Sequence, residues 1–350
     1  MTQYRLPPEW QRQSGVILAW PHRHSDWAGD VGRIDPVYAA LAAAISREER
    51  LIVVHYDAEH RAHIERQLAK VNASPGAIHF YECPTNDTWV RDSAAITVLD
   101  AQERAVLLDF TFNGWGGKYD ASLDNQLTAC LHRRGAFGAT RREVVDVVLE
   151  GGSIEVDGRG TLLTTTACLL AETRNPQLSL AELQRRLGAL LGVERFLWLR
   201  DGYLRGDDTD SHVDMLARFC AADTIAYVRC DDPADEHFPA LQRMQEQLRG
   251  FRQADGQAYR LVALPWPSAK YSDEGERLPA SYANFLILNQ SVLVPTYDDP
   301  ADAVALQTLA DVFPGREMVA IPSLALIAQR GSIHCATMQL PAAVQAPSST

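Results

Sequence analysis

One pattern keeps returning along the 350 residues: two short apolar strands across a turn, a stretch with helical spacing, then a third strand. Residues 94–99 and 105–110 flank a polar turn, with a helix expected over 123–133 and a strand over 144–149. The next copy is a hairpin over 149–165 turning at Asp157-Gly158, a helix over 179–191 and the strand RFLWL at 195–199. A third runs from the hairpin 212–228, through a helix over 236–249, to a strand over 259–264. The fourth has its hairpin at 281–297, its helix at 301–313 and its strand at 317–321. Alternation with period two marks the strands, and spacings of three and four mark the helices. The chain ends hold incomplete pieces. GVILAW at 15–20 is followed by a helix over 35–47, a strand at 51–56, an amphipathic stretch at 58–70 and a strand at 77–81, but has no leading strand; IHCAT at 333–337 has no follower. Joined, the two ends complete a fifth unit.

Asp92, Glu150, His212, Tyr282 and Cys335 mark the heads of these units, 58, 62, 70 and 53 residues apart. Such repeats, closed by pairing the chain ends, predict an α/β ring that hides most strand edges and brings every leading loop to one end. A plain doubly wound sheet is the alternative, and it would leave the first and last strands far apart. On the ring reading, residues 1–340 form one domain, and the small and Pro/Ser-rich residues 341–350 read as a frayed tail.

The 45 acidic and 33 basic residues give a net charge of -12 with no basic stripe, which excludes nucleic acid as the expected partner. No stretch is long and apolar enough to span a bilayer, so no membrane partner is expected. Six scattered cysteines without CxxC spacing point to a reduced, cytoplasmic protein rather than a disulfide scaffold.

If the ring closes, polar residues from distant segments converge: Trp20 and His22 from the first segment, then Trp89, Arg91, Asp92 and Glu150. Asp208, His212 and Asp214 join from GDDTDSHVD at 206–214, followed by Tyr282, Asn284, His334 and Cys335. His212 and Asp214 lie two apart and share a face in extended backbone. The set contains a soft nucleophile, a base and several carboxylates. Asp210, His212 and Asp214 could instead hold a divalent ion, although HExxH and the twelve-residue calcium loop are absent. GGSIEVDGRG and GWGGK lack the spacing of nucleotide-binding loops. A cysteine enzyme, a metal-dependent hydrolase and a non-catalytic guanidine or polyamine binder therefore remain open on the residues alone.

Taken together, PPEW with LAWPH, NDTWVRDS, FNGWGGKY, LEGGSIEVDGRG, RNP, GDDTDSHVD, SYANFLILN, FPGRE and GSIHC run in order over nearly the whole chain. In these motifs the chain resembles the agmatine deiminases of the peptidyl-arginine deiminase, or guanidine-modifying, superfamily. The resemblance implies a five-bladed α/β propeller of the pentein type with a central active site, no cofactor, a small cationic guanidine substrate, and the option of a homodimer. It puts the nucleophile at Cys335, the proton-moving histidine at His212, and the guanidinium-holding carboxylates at Asp92 and Asp214. Glu150 then orients the histidine, and Trp89 and Trp115 wall the alkyl chain. The acidic loop itself favours a decarboxylated amine, with Asp207, Asp208 or Asp210 open to receive the distal ammonium. The implied reaction is hydrolysis of agmatine to N-carbamoylputrescine and ammonia through a covalent S-alkylthiouronium; free or peptide-linked arginine is the alternative substrate. Departures from the family pattern fall at Gln329, Arg330 and Ser332 before the cysteine, at Ser211 and Met215 around HVD, and at Ala94 and Ala95.

Overall fold

A computed structural model describes residues 4–346. Four segments share one topology in chain order. Ile154–Val156 and Thr161–Thr165 pair antiparallel, the helix Leu180–Leu191 crosses over, and Arg195–Leu199 returns parallel to Thr161–Thr165. Ala217–Ala221, Thr224–Val228, helix Phe238–Gly250 and Arg260–Leu264 repeat this plan. So do Leu286–Ile287, Ser291–Thr296, helix Ala301–Val312 and Glu317–Pro322. Ile96–Asp100, Ala105–Thr111, helix Leu127–Arg133 and Arg141–Val148 form the remaining one, with Tyr4–Arg5 added at its edge. Each parallel return needs a crossover, which the helix supplies while covering one face of the sheet.

The two chain ends meet. Thr337–Pro341 pairs antiparallel with Gln13–Ala19, whose other edge runs parallel to Arg50–His55 and then Ile78–Glu82. This pairing contradicts the open doubly wound alternative, which would separate the terminal strands. Leu51, Ile52 and Val53 are fully buried, as expected of a strand covered on both faces.

Local chemistry explains the element ends. Leu183, Leu187 and Leu191 recur every four residues and are the buried face of their helix. Ser179 accepts from the Glu182 amide while Glu182 accepts from the Ser179 amide, a capping box, and Gly192 ends the helix at φ 68. A side chain at Gly192 would come within 2.0 Å of the Tyr4 carbonyl.

Several expectations need correction. The first helix starts at Val31 rather than Asp35, so Pro36 lies inside it. The small hairpin of Lys270–Tyr271 and Arg277–Leu278 was not legible in its polar sequence. Pro341 still belongs to the last strand, the Ala342 amide donates to the Arg12 carbonyl, and Val344 is 2% exposed. Residues 341–346 are thus packed rather than frayed, and 347–350 lie outside the described residues. Cys83 and Cys130 form a disulfide across 47 residues, against the expectation of an all-thiol chain; that spacing carries no local signal, and only the fold brings the end of Ile78–Glu82 beside helix Leu127–Arg133. No helix among the described residues is long and apolar enough to cross a membrane.

Candidate active site

A cleft is lined by Trp89, Asp92, Trp115, Asp208, Arg330 and Cys335, among others. Cys335 stands just before the terminal strand and is 6% exposed. Asn284 clamps it: the side-chain Nδ2 donates to Cys335 Sγ at 3.2 Å, and Oδ1 accepts from the His334 and Cys335 amides at 2.9 and 3.3 Å. Arg91 holds the same turn from the other side, its amide donating to the Cys335 carbonyl and its Nε to the His334 carbonyl, both at 3.2 Å. The sulfur lies 3.7 Å from Asp214 Oδ2. Burial, then the Asp214 and Asp92 carboxylates, push the thiol well above its ordinary range.

Asp92 sits on the single helical turn Val90–Ser93. Its Oδ2 accepts from Trp115 Nε1 and its Oδ1 from the Gly152 amide, each at 2.9 Å. Gly152 marks how tightly the groups converge, because a Cβ there would meet His212 Nδ1 at 2.6 Å, Asp92 Oδ1 at 2.9 Å and Asp214 Oδ2 at 3.1 Å. His212 is fully buried with Nδ1 3.7 Å from Asp92 Oδ1. Burial opposes its positive charge, but Asp92, Cys168 and Glu150 outweigh that, and its pKa lies well above the usual imidazole range. For Asp214, burial is outweighed by the hydrogen bond and charge of His334, with His212 and Arg218 adding to them, so its carboxyl is held below the ordinary range. Asp92 lacks such compensation, and burial raises its pKa despite His212.

Glu150 reaches the histidine from behind. One of its oxygens, a His212 ring nitrogen and Cys168 Sγ all lie within 4.8 Å of one another. Arg174, whose side chain is fully buried, donates Nε to Glu150 Oε1 at 2.8 Å and Nη1 to Asp210 Oδ2 at 2.5 Å. The pair fastens the acidic loop to the LEGG turn. Trp89 packs on Trp27 with ring centroids 6.0 Å apart, and Gly331 passes so close that a Cβ would fall 2.4 Å from the Trp89 ring.

The carboxylates of GDDTDSHVD separate in space. Asp207 turns inward to accept from the Thr209 and Ser211 amides at 3.1 and 2.8 Å. Asp210 is taken up by Lys118 at 2.8 Å and by Arg174, so it is not free to join His212 and Asp214 as an ion ligand. Asp207 and Asp208 both line the cleft, and the Asp208 carboxylate is 23% exposed and accepts from Tyr119 Oη at 2.6 Å. Other leading residues do not reach the sulfur. Trp20 donates to Asp35 at 2.9 Å, His22 bonds Thr85 at 3.1 Å, and Tyr282 donates to Asp302 at 2.7 Å. His334 faces away from the cleft, bridging Asp214 Oδ2 and Glu9 Oε2 at 2.7 Å each. Glu9 is in turn bound by the buried Arg218, a guanidinium that also pairs with Glu155 and fills the centre of that acidic group.

Sequence reasoning placed Asn284 at the site without a role, gave Arg91 none, and missed Arg174 and Cys168 as neighbours of the histidine. Asn284 in SYANF and Arg174 in RNP stood in matching motifs, but only the fold shows what they touch.

The chain matches the model of the Porphyromonas-type peptidyl-arginine deiminase family over residues 5–341. It is 34% identical to the agmatine deiminase of Pseudomonas fluorescens, covering 97% of this chain and 96% of that one. The structure of an agmatine deiminase of C. jejuni with substrate bound superposes with a TM-score of 0.89 at 33% identity, over 98% of this chain and 97% of that one. A presumed arginine deiminase from Porphyromonas gingivalis superposes with a TM-score of 0.90 at 45% identity, over 97% and 99%. With the match running nearly end to end, the chain belongs to the Porphyromonas-type peptidyl-arginine deiminase family.

Proposed function

We propose that the protein hydrolyses agmatine to N-carbamoylputrescine and ammonia by covalent catalysis at Cys335. The observation that carries this reading is the convergence of Cys335, Asp214, Asp92 and His212 on one buried point, marked by the space around Gly152. The agmatine deiminases similar over almost the whole chain support it. We further infer that the five larger sheets stand as blades of one ring around this point, supported by the topology that four of them share and by the pairing of the terminal strand with Gln13–Ala19.

A guanidinium is planar, permanently charged and a donor on every edge, so two carboxylates pair with its N–H groups and fix its carbon over the sulfur. Its charge offsets the carboxylates that oppose thiolate formation, so the thiol gives up its proton to solvent as the substrate binds, and both Asp92 and Asp214 stay ionised against the guanidinium. The thiolate then bonds to the guanidinium carbon. Protonated His212 gives its proton to one amino group of the tetrahedral adduct, the C–N bond breaks, and ammonia leaves a planar S-alkylthiouronium. Neutral His212 next takes a proton from water as the hydroxide bonds to the same carbon; collapse breaks the C–S bond, the hydroxyl proton passes to the departing sulfur, and the ureido product is released with the thiol restored. A histidine held protonated by its surroundings suits the first of these duties. Trp89 and Trp115 flank the alkyl chain.

Comparing ammonia release from agmatine, free arginine and an arginine peptide blocked at both ends tests the substrate. Turnover should be greatest with agmatine, and a preference for the peptide would reverse the assignment.

A further inference from the structure

The outer half of the cleft has a feature that the reaction does not use. Five aspartates line this cleft, and among its described residues Arg330 is the one cation. Arg330 Nε lies 3.9 Å from Asp208 Oδ2, and Nη2 lies 3.3 Å from Glu276 Oε2. The Asp208 oxygen involved is the one that also accepts from Tyr119 Oη. The Arg330 and Asp208 side chains are 41% and 23% exposed, against 6% for Cys335, so they stand toward solvent on the cleft that has the sulfur within it.

The backbone here is fixed. Arg330 has φ 70, its amide donates to the Ile327 carbonyl at 2.9 Å, and Gly331 is pinned against Trp89. The Gln329 side chain donates to the Asp26 carbonyl at 3.1 Å. The guanidinium of Arg330 is therefore the part free to swing, between Asp208 inside the cleft and Glu276, 69% exposed, outside it. With Asp207 and Asp210 bound to their own loop and to Arg174 and Lys118, Asp208 is the carboxylate of GDDTDSHVD left for the far end of a substrate.

We propose that Arg330 is a specificity-determining residue: it competes with a distal ammonium for Asp208 and offers its own charge to a guanidine whose far end carries a carboxylate. This rests on the deiminase reading above and adds the rule by which the cleft ranks its substrates. An ammonium must displace Arg330 from Asp208, a neutral end leaves that pair undisturbed, and a carboxylate takes Arg330 for itself. The pair is long and partly exposed, so its hold is weak enough for a substrate to break.

Steady-state ammonia release by the full-length protein decides this with three chain-matched substrates: agmatine, the alkylguanidine that ends in a methyl group, and the ω-guanidino acid. In Arg330→Gln, KM for agmatine should fall about three- to fivefold and KM for the guanidino acid should rise by a similar factor, from an exposed charge pair, while the alkylguanidine moves less than either. The kcat values should change little, because the contact is the same in ground and transition states. In an Asp208→Asn background, Arg330→Gln should lower the agmatine KM by clearly less than in the wild-type background, since the competition for Asp208 is gone and only the repulsion between the two cations remains. Equal changes for all three substrates would reduce Arg330 to a loop-shaping role and overturn the proposal, as would no change in any KM. Normal wild-type turnover with either result leaves the deiminase reading standing; no ammonia from any of the three with the wild type overturns both.

Discussion

At the residue scale, the site holds Cys335 and His212, the proposed nucleophile and proton carrier, in the reverse of their expected ionisation. Burial and two carboxylates keep Cys335 a thiol, while Asp92, Cys168 and Glu150 keep His212 charged. Titrating the thiolate by its ultraviolet absorbance, with a Cys335→Ala blank, should place the ionisation above the ordinary value of 9.0 in the free protein. Saturation with methylguanidine adds a cation beside the sulfur, which favours the charged thiolate and moves the ionisation to lower pH. A curve that does not move, or moves upward, would contradict substrate-assisted formation of the nucleophile. The convergence of Cys335, His212, Asp92, Asp214 and Glu150 was legible because each stands in a distinctive motif. Their partners were not: nothing in FNGWGGKY says that Trp115 will donate to Asp92, because that bond joins segments 23 residues apart through the fold. Nor could the sequence sort Asp207, Asp208 and Asp210, which are near neighbours of one type and differ only in what surrounds them.

At the scale of elements, the loop that carries His212 depends on a buried ion pair. The side chains of both Arg174 and Glu150 are fully buried, and Arg174 also reaches Asp210 and the Thr209 carbonyl. Removing the cation strands a carboxylate in a dry environment. Arg174→Met should lower stability by about 3–5 kcal/mol in urea unfolding and reduce kcat, because the histidine loop loses its fastening. Adding Glu150→Gln should recover part of that stability by removing the stranded charge. A single mutant as stable as the wild type would contradict this account of the loop. The helices and hairpins themselves were legible from periodicity, with boundaries shifted by a few residues. The Lys270–Tyr271 and Arg277–Leu278 pair was not, since so short and polar a hairpin has no apolar face to alternate.

At the scale of the whole molecule, the repeat in the sequence anticipated the shared topology and the meeting of the chain ends. What it could not give is which leading residues turn inward. Trp20, His22 and Tyr282 occupy equivalent heads yet bond to Asp35, Thr85 and Asp302, each in its own surroundings. The disulfide between Cys83 and Cys130 was equally hidden, because two cysteines separated by 47 residues meet only once the sheets are placed. The central claim is that one cysteine from the last segment forms a bond to a guanidinium carbon held by carboxylates from two others. Acid quenching of the protein during turnover of agmatine, followed by mass spectrometry of its peptides, tests this directly. The account predicts a transient adduct of agmatine less ammonia on the peptide that contains Cys335, and neither adduct nor turnover in Cys335→Ala; ammonia release by Cys335→Ala at the wild-type rate would contradict it.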